Sequence, residues 1–256
     1  MIHPQAIVSS DAKVAEDAEV GPFSVIGDGV EIGEGTSIGP HVVVKGPTRI
    51  GRDNRIFQFA SIGDDPQDKK YAGESTSLEI GDRNTIRECC TINRGTVQDE
   101  GVTRIGSDNW LMAYVHVAHD CQIGNHTILA NSATLAGHVQ LGDFAIMGGF
   151  TGVHQYCRIG AHSFLGMYAG ITRDVPPFVM VSGRPAEPKG INLEGLKRQE
   201  FSAEQIKSIR NAYKVIYRSG LKLAEAVERL DEVVDDQPEI RPLVDFLRSS
   251  KRSIIR

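Results

Sequence analysis

The chain has 256 residues, 24% of them charged, and a formal net charge of −5, which argues against a general nucleic-acid or anionic-membrane surface. No run of about 18 apolar residues is present, so no spanning helix is expected, and no basic segment followed by an apolar stretch opens the chain, so no secretory signal is expected. Four cysteines without CxxC spacing speak against a cysteine zinc site and fit free thiols in a cytoplasmic protein.

From the N-terminus an aliphatic residue recurs at every sixth position: Ile2, Val8, Val14, Val20, Ile26, Ile32, Ile38, Val44, Ile50, Ile56 and Ile62. Such a fixed repeat sets the whole fold. It is neither the helical period of about 3.6 nor the strand period of about 2. Six residues suit one short strand and one tight corner. Three such units close a triangular coil, and coils stack at about 4.8 Å into a parallel β-helix. A lone coil cannot bury its apolar residues, so the array is stable only as a stack. Gly often follows the aliphatic residue, as at Gly21, Gly33 and Gly51, where it suits positive φ or close backbone approach. A small residue four places after the aliphatic one, as at Ala18, Ser24 and Asn54, is expected to fill the corner. Cys90, Cys121 and Cys157 take this place and read as small buried hydrophobes, with Cys89 facing the other way.

The first run reads as scaffold. Between Ile62 and Ile80 the phase survives, but Asp64 to Glu74 is too polar for coil wall, and a loop on a rigid scaffold is expected, of the kind that often carries sites. A second loop is expected between Ile92 and Ile105, where Asn93 to Gly101 leave phase. The beat then holds from Ile105 to Ile171 and is expected to stop at Asp174-Val175-Pro176-Pro177, because Pro donates no ladder hydrogen bond. After Gly190 the period becomes helical. Ser202-Ala203-Glu204-Gln205 is a capping-box start, followed by Ile206, Ile209, Tyr213 and Ile216. Gly220 is expected to stop this helix. Leu223, Val227 and Leu230 mark a second, ending before Pro238, and Leu243, Phe246 and Leu247 a third. The expected fold is mainly β, with a β-helix domain over residues 1–190 and a helical subdomain over 191–256 that caps the stack.

His116, His119, His138 and His154 fall on neighbouring coils of about eighteen residues and are expected to gather along one edge. His126 and His162 lack such companions and read as surface residues. Three readings of the cluster compete: outward histidines on a polar face, a zinc site of the three-histidine type, and acid–base catalysis with His119 supported by Asp120.

The segments around these residues discriminate by resemblance. Ala113 to Cys121, Leu135-Ala136-Gly137-His138-Val139 and Val153-His154-Gln155-Tyr156-Cys157 resemble the acyl-carrier-protein-dependent UDP-N-acetylglucosamine acyltransferases, hexapeptide-repeat enzymes that open lipid A synthesis. So do Gln67 to Glu74, Asn93-Arg94-Gly95-Thr96, Asn192 to Arg198 and Arg210 to Lys214. The match covers nearly the whole chain. It implies a left-handed coil, where the general crossover rule would have implied a right-handed one. It also implies transfer of an R-3-hydroxyacyl group from acyl carrier protein to the 3-OH of UDP-N-acetylglucosamine, without metal or cofactor, in a homotrimer with its site between adjacent subunits. His119 would be the general base, Asp120 its electrostatic partner and Gly137 the oxyanion donor through its N–H. His138, His116 and Lys70 would bind substrate or shape the site. Asp68 and Gln67 would hydrogen-bond sugar and acyl hydroxyls, His154 and Gln155 would line the sugar or nucleotide pocket, and Asn192 and Glu194 would read uracil.

Three residues depart from the family pattern. Gln199 stands where members often carry a second Arg for the nucleotide phosphates, leaving Arg198 to act alone. Asn93 stands where many have His, which removes a sugar or acyl-pocket contact and leaves open the 3-amino sugar some members accept. Met167 occupies a position that limits acyl length, and its long side chain points to about ten carbons rather than fourteen. The alternatives are the N-acyltransferase acting later on the acylated sugar, which usually has an extra N-terminal domain, and a zinc-dependent γ-type carbonic anhydrase. The tail's basic residues Arg198, Lys207, Arg210, Lys214 and Arg218 fit either an acidic carrier protein or solvated helix faces.

Overall fold

The structure is a computed structural model that describes residues 1–250 and 252–256. Among these residues the strands form three sheets of nine, eight and ten strands, each taking every third strand of the stack. Pairing is parallel and stacks like on like: Ile26 on Val44, Val117 on Leu135, Leu135 on Val153, Val153 on Ile171. The inward aliphatic residues are almost wholly buried and make one continuous core. Each is a thin layer, which is why unstacked coils would have no inside.

The corners between strands are solved differently from the sequence expectation. Positive φ falls three places before the aliphatic residue and, apart from Gly63 where the first loop leaves, not on the Gly after it. Phe59 (φ 63°), Asp120 (φ 58°), His138 (φ 62°) and Tyr156 (φ 63°) all hold this left-handed conformation, which costs an L-residue about 1–2 kcal/mol. Rings at successive corners stack, as Phe144 does on His126 and His162 at 4.8 Å each. The glycines after the aliphatic residues serve close approach instead. A Cβ on Gly33 would lie 2.6 Å from the Gly51 carbonyl oxygen. The buried small positions hold a polar column as well: the Asn54 side-chain oxygen accepts the Asn84 N–H (2.9 Å), and that of Asn84 accepts the Asn109 N–H (2.9 Å). Cys90, Cys121 and Cys157 are buried and unpaired, as expected, and burial pushes the first two thiols up to about 12.

Two loops leave the coil. Ile62 stacks on Ile92, and Ile80 on Ile50, so the segment between Asp64 and Ser77 is an excursion inserted at one corner. The second lies between Asn93 and Val102. The coil does not stop at the prolines. Val175 bridges Ile159, and Val179–Ser182 pairs in parallel with Phe164–Leu165. Pro177 sits in a turn, where no ladder donor is needed. Glu187–Ile191 then turns back antiparallel to close that sheet.

The tail holds α1 (Leu193–Arg198), α2 (Ala203–Arg218), α3 (Leu223–Asp231) and α4 (Arg241–Ser249), with a 3₁₀ turn at Pro238–Ile240. The short α1 was not expected from periodicity, since six residues show less than two turns of pattern. Ser202 and Gln205 form the capping box of α2, and Gly220 (φ 76°) follows its end. The helices keep their own core, while Tyr213 and Ile255 join that of the coil. The C-terminus is tied to the last coil through buried Asp174, which accepts the Arg158 N–H (2.9 Å) and the Ser250 hydroxyl (2.7 Å) and whose backbone carbonyl accepts the Ile255 N–H (2.8 Å). No helix among the described residues is long and apolar enough to cross a membrane.

Candidate active site

One edge of the coil carries Asp120, His138 and Tyr156 on consecutive turns. His119 precedes the first of these corners, and its ring leans over the next coil. A Cβ on Gly137 would fall 2.5 Å from His119 Cε1 and 2.7 Å from Nε2. Only glycine leaves room for the imidazole here. Among the described residues the Gly137 N–H donates to no backbone acceptor. The same holds for His119 and Gln155 at equivalent corner positions, so what is particular to Gly137 is the buried backbone lying directly against the imidazole.

His119 Nδ1 lies 2.9 Å from Asp120 Oδ2. An ionised carboxylate only accepts, so Nδ1 donates, and in the neutral ring Nε2 keeps its lone pair. Asp120 is buried. Its carboxylate also accepts the Thr96 N–H (2.9 Å) and hydroxyl (2.6 Å), and its own N–H donates to Thr103 Oγ1 (2.8 Å). Burial alone would push this acid up. Donation from His119 and Thr96, with nearby His138, outweighs burial and holds it below the ordinary carboxylate range. His138 packs its ring edge against His119 (5.0 Å between centroids) and its face on Tyr156 (4.2 Å). Its Nδ1 donates to Asp99 Oδ2 (2.8 Å). His116 lies on the adjoining sheet face with Nδ1 2.7 Å from Thr91 Oγ1, and burial, then the neighbouring His119, pull its pKa below the ordinary histidine value.

Both loops are pinned near this edge. Arg94 is buried, donates to the Gly63 carbonyl (2.6 Å) and the Tyr71 hydroxyl (3.1 Å), and pairs with Asp65. Buried Asn93 donates through Nδ2 to the Asp65 carbonyl (2.8 Å). Gly95 lies so close to the returning strand that a Cβ would meet the Val102 nitrogen at 2.2 Å. The site thus combines an imidazole, a glycine backbone N–H beside it and a buried acid behind the ring, the group types that acid–base chemistry with oxyanion stabilisation requires.

Comparison with known proteins agrees with this geometry. A family model described as Udp N-acetylglucosamine O-acyltransferase, Domain 2, matches residues 174–255, and one described as bacterial transferase hexapeptide matches 11–46 and 103–137. The acyl-[acyl-carrier-protein]–UDP-N-acetylglucosamine O-acyltransferase of Thiobacillus denitrificans is 58% identical over all of this chain and 99% of its own length. Solved structures of the UDP-N-acetylglucosamine acyltransferase of Francisella novicida (47% identity, TM-score 0.98, all of this chain and 94% of that one) and of the O-acyltransferase of Moraxella catarrhalis (48%, 0.98, all of this chain and 99% of that one) superpose along the chain. The chain belongs to the acyl-carrier-protein-dependent UDP-N-acetylglucosamine O-acyltransferase family. It is an acyltransferase with a left-handed coil, and the lyase alternative has no support among these relatives. His119, Asp120 and His138 do bring ligand atoms within 4.8 Å of one another. That group has two imidazoles rather than three, and both Nδ1 atoms face carboxylates.

Within this O-acyltransferase the other expected site residues are dispersed over one chain. Gln67 and Lys70 are exposed on the first loop, where Asp68 accepts the Lys70 N–H (3.0 Å). No hydrogen bond joins these three to His119 among the described residues. His154 is exposed, not in contact with the other imidazoles, and its Nδ1 donates to the Gln155 carbonyl (3.1 Å). It lines a cleft of about 610 Å³ with Phe150, Tyr168 and Arg184. Asn192 caps α1, accepting the Gly195 N–H (3.1 Å), and donates to the His162 carbonyl (2.9 Å) at a different corner from His119. Glu194 pairs with Lys197 (3.0 Å), and Arg198 is exposed. Met167 lies at the third corner, 62% exposed beside Tyr168. His126 is exposed as expected, but His162 is not a surface residue. It is half-buried in a stack with Phe144 and Phe178 and edge-on to Phe201, and burial lowers its pKa.

Thr96, Asp99, Thr103 and Arg94 were not singled out from the sequence. Asn93 to Thr96 stood out only as a family segment, and no spacing rule points Thr96 at a carboxylate on another coil.

Proposed function

We propose that this chain transfers an R-3-hydroxyacyl group from acyl carrier protein to the 3-OH of UDP-N-acetylglucosamine, the first step of lipid A synthesis. The observation that carries this is the His119–Asp120 pair, with the ring resting over Gly137, in a chain of this family. Nε2 of His119 takes the hydroxyl proton as the oxygen attacks the thioester carbonyl. The Gly137 N–H meets the oxyanion. The intermediate collapses with loss of the carrier's thiolate, and the imidazolium returns its proton to that sulfur. An ester C–O bond replaces a C–S bond, and Asp120 holds the imidazole in the tautomer that leaves Nε2 free. Gln67, Asp68, Lys70, His116 and His138 contact sugar and acyl groups, His154 and Gln155 line the sugar side, and Asn192, Glu194 and Arg198 hold the nucleotide.

The active form is a homotrimer. The base, Met167 and the Asn192 group lie at three different corners of one coil. A three-fold arrangement brings unlike corners of neighbouring chains to one cleft. The exposed ridge of Phe23, Phe59, Tyr114, Phe150 and Tyr168 supplies apolar surface for such contact. Four unpaired cysteines fit a cytoplasmic setting. Met167 limits the acyl chain to about ten carbons.

The test is acyl transfer from 3-hydroxydecanoyl and 3-hydroxytetradecanoyl carrier protein to UDP-N-acetylglucosamine. Wild type is expected to prefer the shorter donor, Met167→Gly to shift toward the longer, and His119→Ala to lose at least about 100-fold in kcat. Transfer by His119→Ala at the wild-type rate would move the base elsewhere. An unchanged preference in Met167→Gly would remove Met167 as the ruler.

A further inference from the structure

The His119–Asp120 pair has a competitor. His138 Nδ1 lies 3.8 Å from the same Asp120 Oδ2 that accepts from His119 at 2.9 Å. Both acids near His138 Nδ1 are acceptors, so this nitrogen also carries hydrogen. Two imidazole N–H groups thus converge on one buried carboxylate oxygen. Asp99, on the second loop, lies 2.8 Å from His138 Nδ1 and draws that hydrogen away. The loop is placed to do so, because Thr96, three residues earlier, is itself bonded to Asp120 through N–H and hydroxyl. Tyr156 fixes the His138 ring plane, and among the described residues the acceptors near Nδ1 are Asp99 and Asp120.

We infer that Asp99 is a positioning residue that reserves Asp120 for His119 by holding His138 off it. This rests on the reading of His119 as the base. The Asp99 side chain is 46% exposed, against 1% for Asp120, so Asp99 accepts from His138 at little desolvation cost. Without Asp99, His138 Nδ1–H has Asp120 as its nearest acceptor, and a bond to a buried charge is the stronger kind. His119 would then share its orienting oxygen and hold Nε2 toward the sugar hydroxyl less often. The consequence is a loss in the chemical step with little change in sugar-nucleotide binding.

Kinetics of the full-length enzyme test this. Asp99→Ala is expected to lower kcat about tenfold, the effect of one disturbed hydrogen bond, with KM for UDP-N-acetylglucosamine nearly unchanged. Asp99→Asn, whose amide oxygen still accepts, should stay within about threefold of wild type. Removing the competitor should cancel the effect, so that Asp99→Ala/His138→Ala matches His138→Ala. In proton NMR, the low-field His119 Nδ1–H resonance should shift in Asp99→Ala. A wild-type kcat in Asp99→Ala, an equal loss in the His138→Ala background, or an unmoved resonance would overturn the inference. His119→Ala in the same assay separates the two claims. An active His119→Ala enzyme overturns the base reading, whereas an inactive one beside a fully active Asp99→Ala enzyme overturns only the role of Asp99.

Discussion

At Gly137 a single added methyl would come within 2.5 Å of His119 Cε1. The backbone there is not in the left-handed region, so Gly137→Ala adds no conformational strain and acts through that contact alone. The ring must turn away, and displacement of a catalytic group by about 1 Å costs roughly 100-fold. Gly137→Ala is expected to lose about that much in kcat while its thermal midpoint stays near wild type; an active Gly137→Ala enzyme would show that His119 has slack the packing does not suggest. The buried histidines leave a second signature. Burial lowers the pKa of both His116 and His162 in the fold. The unfolded chain binds more protons than the fold below the ordinary histidine value of about 6.5. Stability is therefore full above that pH and falls as pH drops through the folded values. Replacing both with Gln should flatten the decline in melting temperature between about pH 6.5 and 5, and an unchanged decline would place the titrating groups elsewhere.

The elements divide into coil and excursions, and the excursions are held by few bonds. The Arg94 side chain joins the Gly63 carbonyl, Asp65 and Tyr71, beside the Asn93 bond to the Asp65 carbonyl. Arg94→Leu leaves the Gly63 carbonyl and Tyr71 without that donor, at a cost of about 1–3 kcal/mol. Hydrogen exchange should then quicken across residues 65–76, and KM for the sugar nucleotide should rise, since Gln67, Asp68 and Lys70 ride on this segment. Exchange as slow as wild type would mean the loop is held by its own turns. The coil wall was legible because its period is strict. The corner rule was not. Phe, His, Tyr and Asp occupy the positive-φ position, where composition alone points to glycine, because stacking with the next coil repays the strain of a ring in that conformation.

The whole molecule presents an apolar ridge along one corner, with Phe150 stacked on Tyr168 at 5.1 Å and both more than half exposed. An exposed apolar strip of this length in a folded chain marks an interface. Phe150→Glu together with Tyr168→Glu is expected to convert the proposed trimer to single chains in sedimentation experiments and to remove activity, although neither residue touches the His119–Asp120 pair. A trimer that survives both changes would place the interface on another face.

Much of this was determined by the sequence itself. Repetition at six residues is a local property, and it specifies strand, corner spacing and stacking register together, though not the corner conformation, so Ile26, Val44 and Ile62 announce the core without any structure. The change of period near residue 191, the capping box at Ser202 and the stop at Gly220 are local in the same sense. The pairing of His119 with Asp120 was also readable, since the two are neighbours in the chain. Tertiary structure alone decided what the second loop does. Thr96 and Asp99 are polar residues in a segment without period, and their partners Asp120 and His138 are brought to them only by closure of the coil. It alone also decided that His162 is half-buried in an aromatic stack, that the coil continues one parallel strand beyond Pro177, and that His119, Met167 and the Asn192 group stand at three separate corners. Those are facts about which coils and corners meet, and no residue carries them by itself.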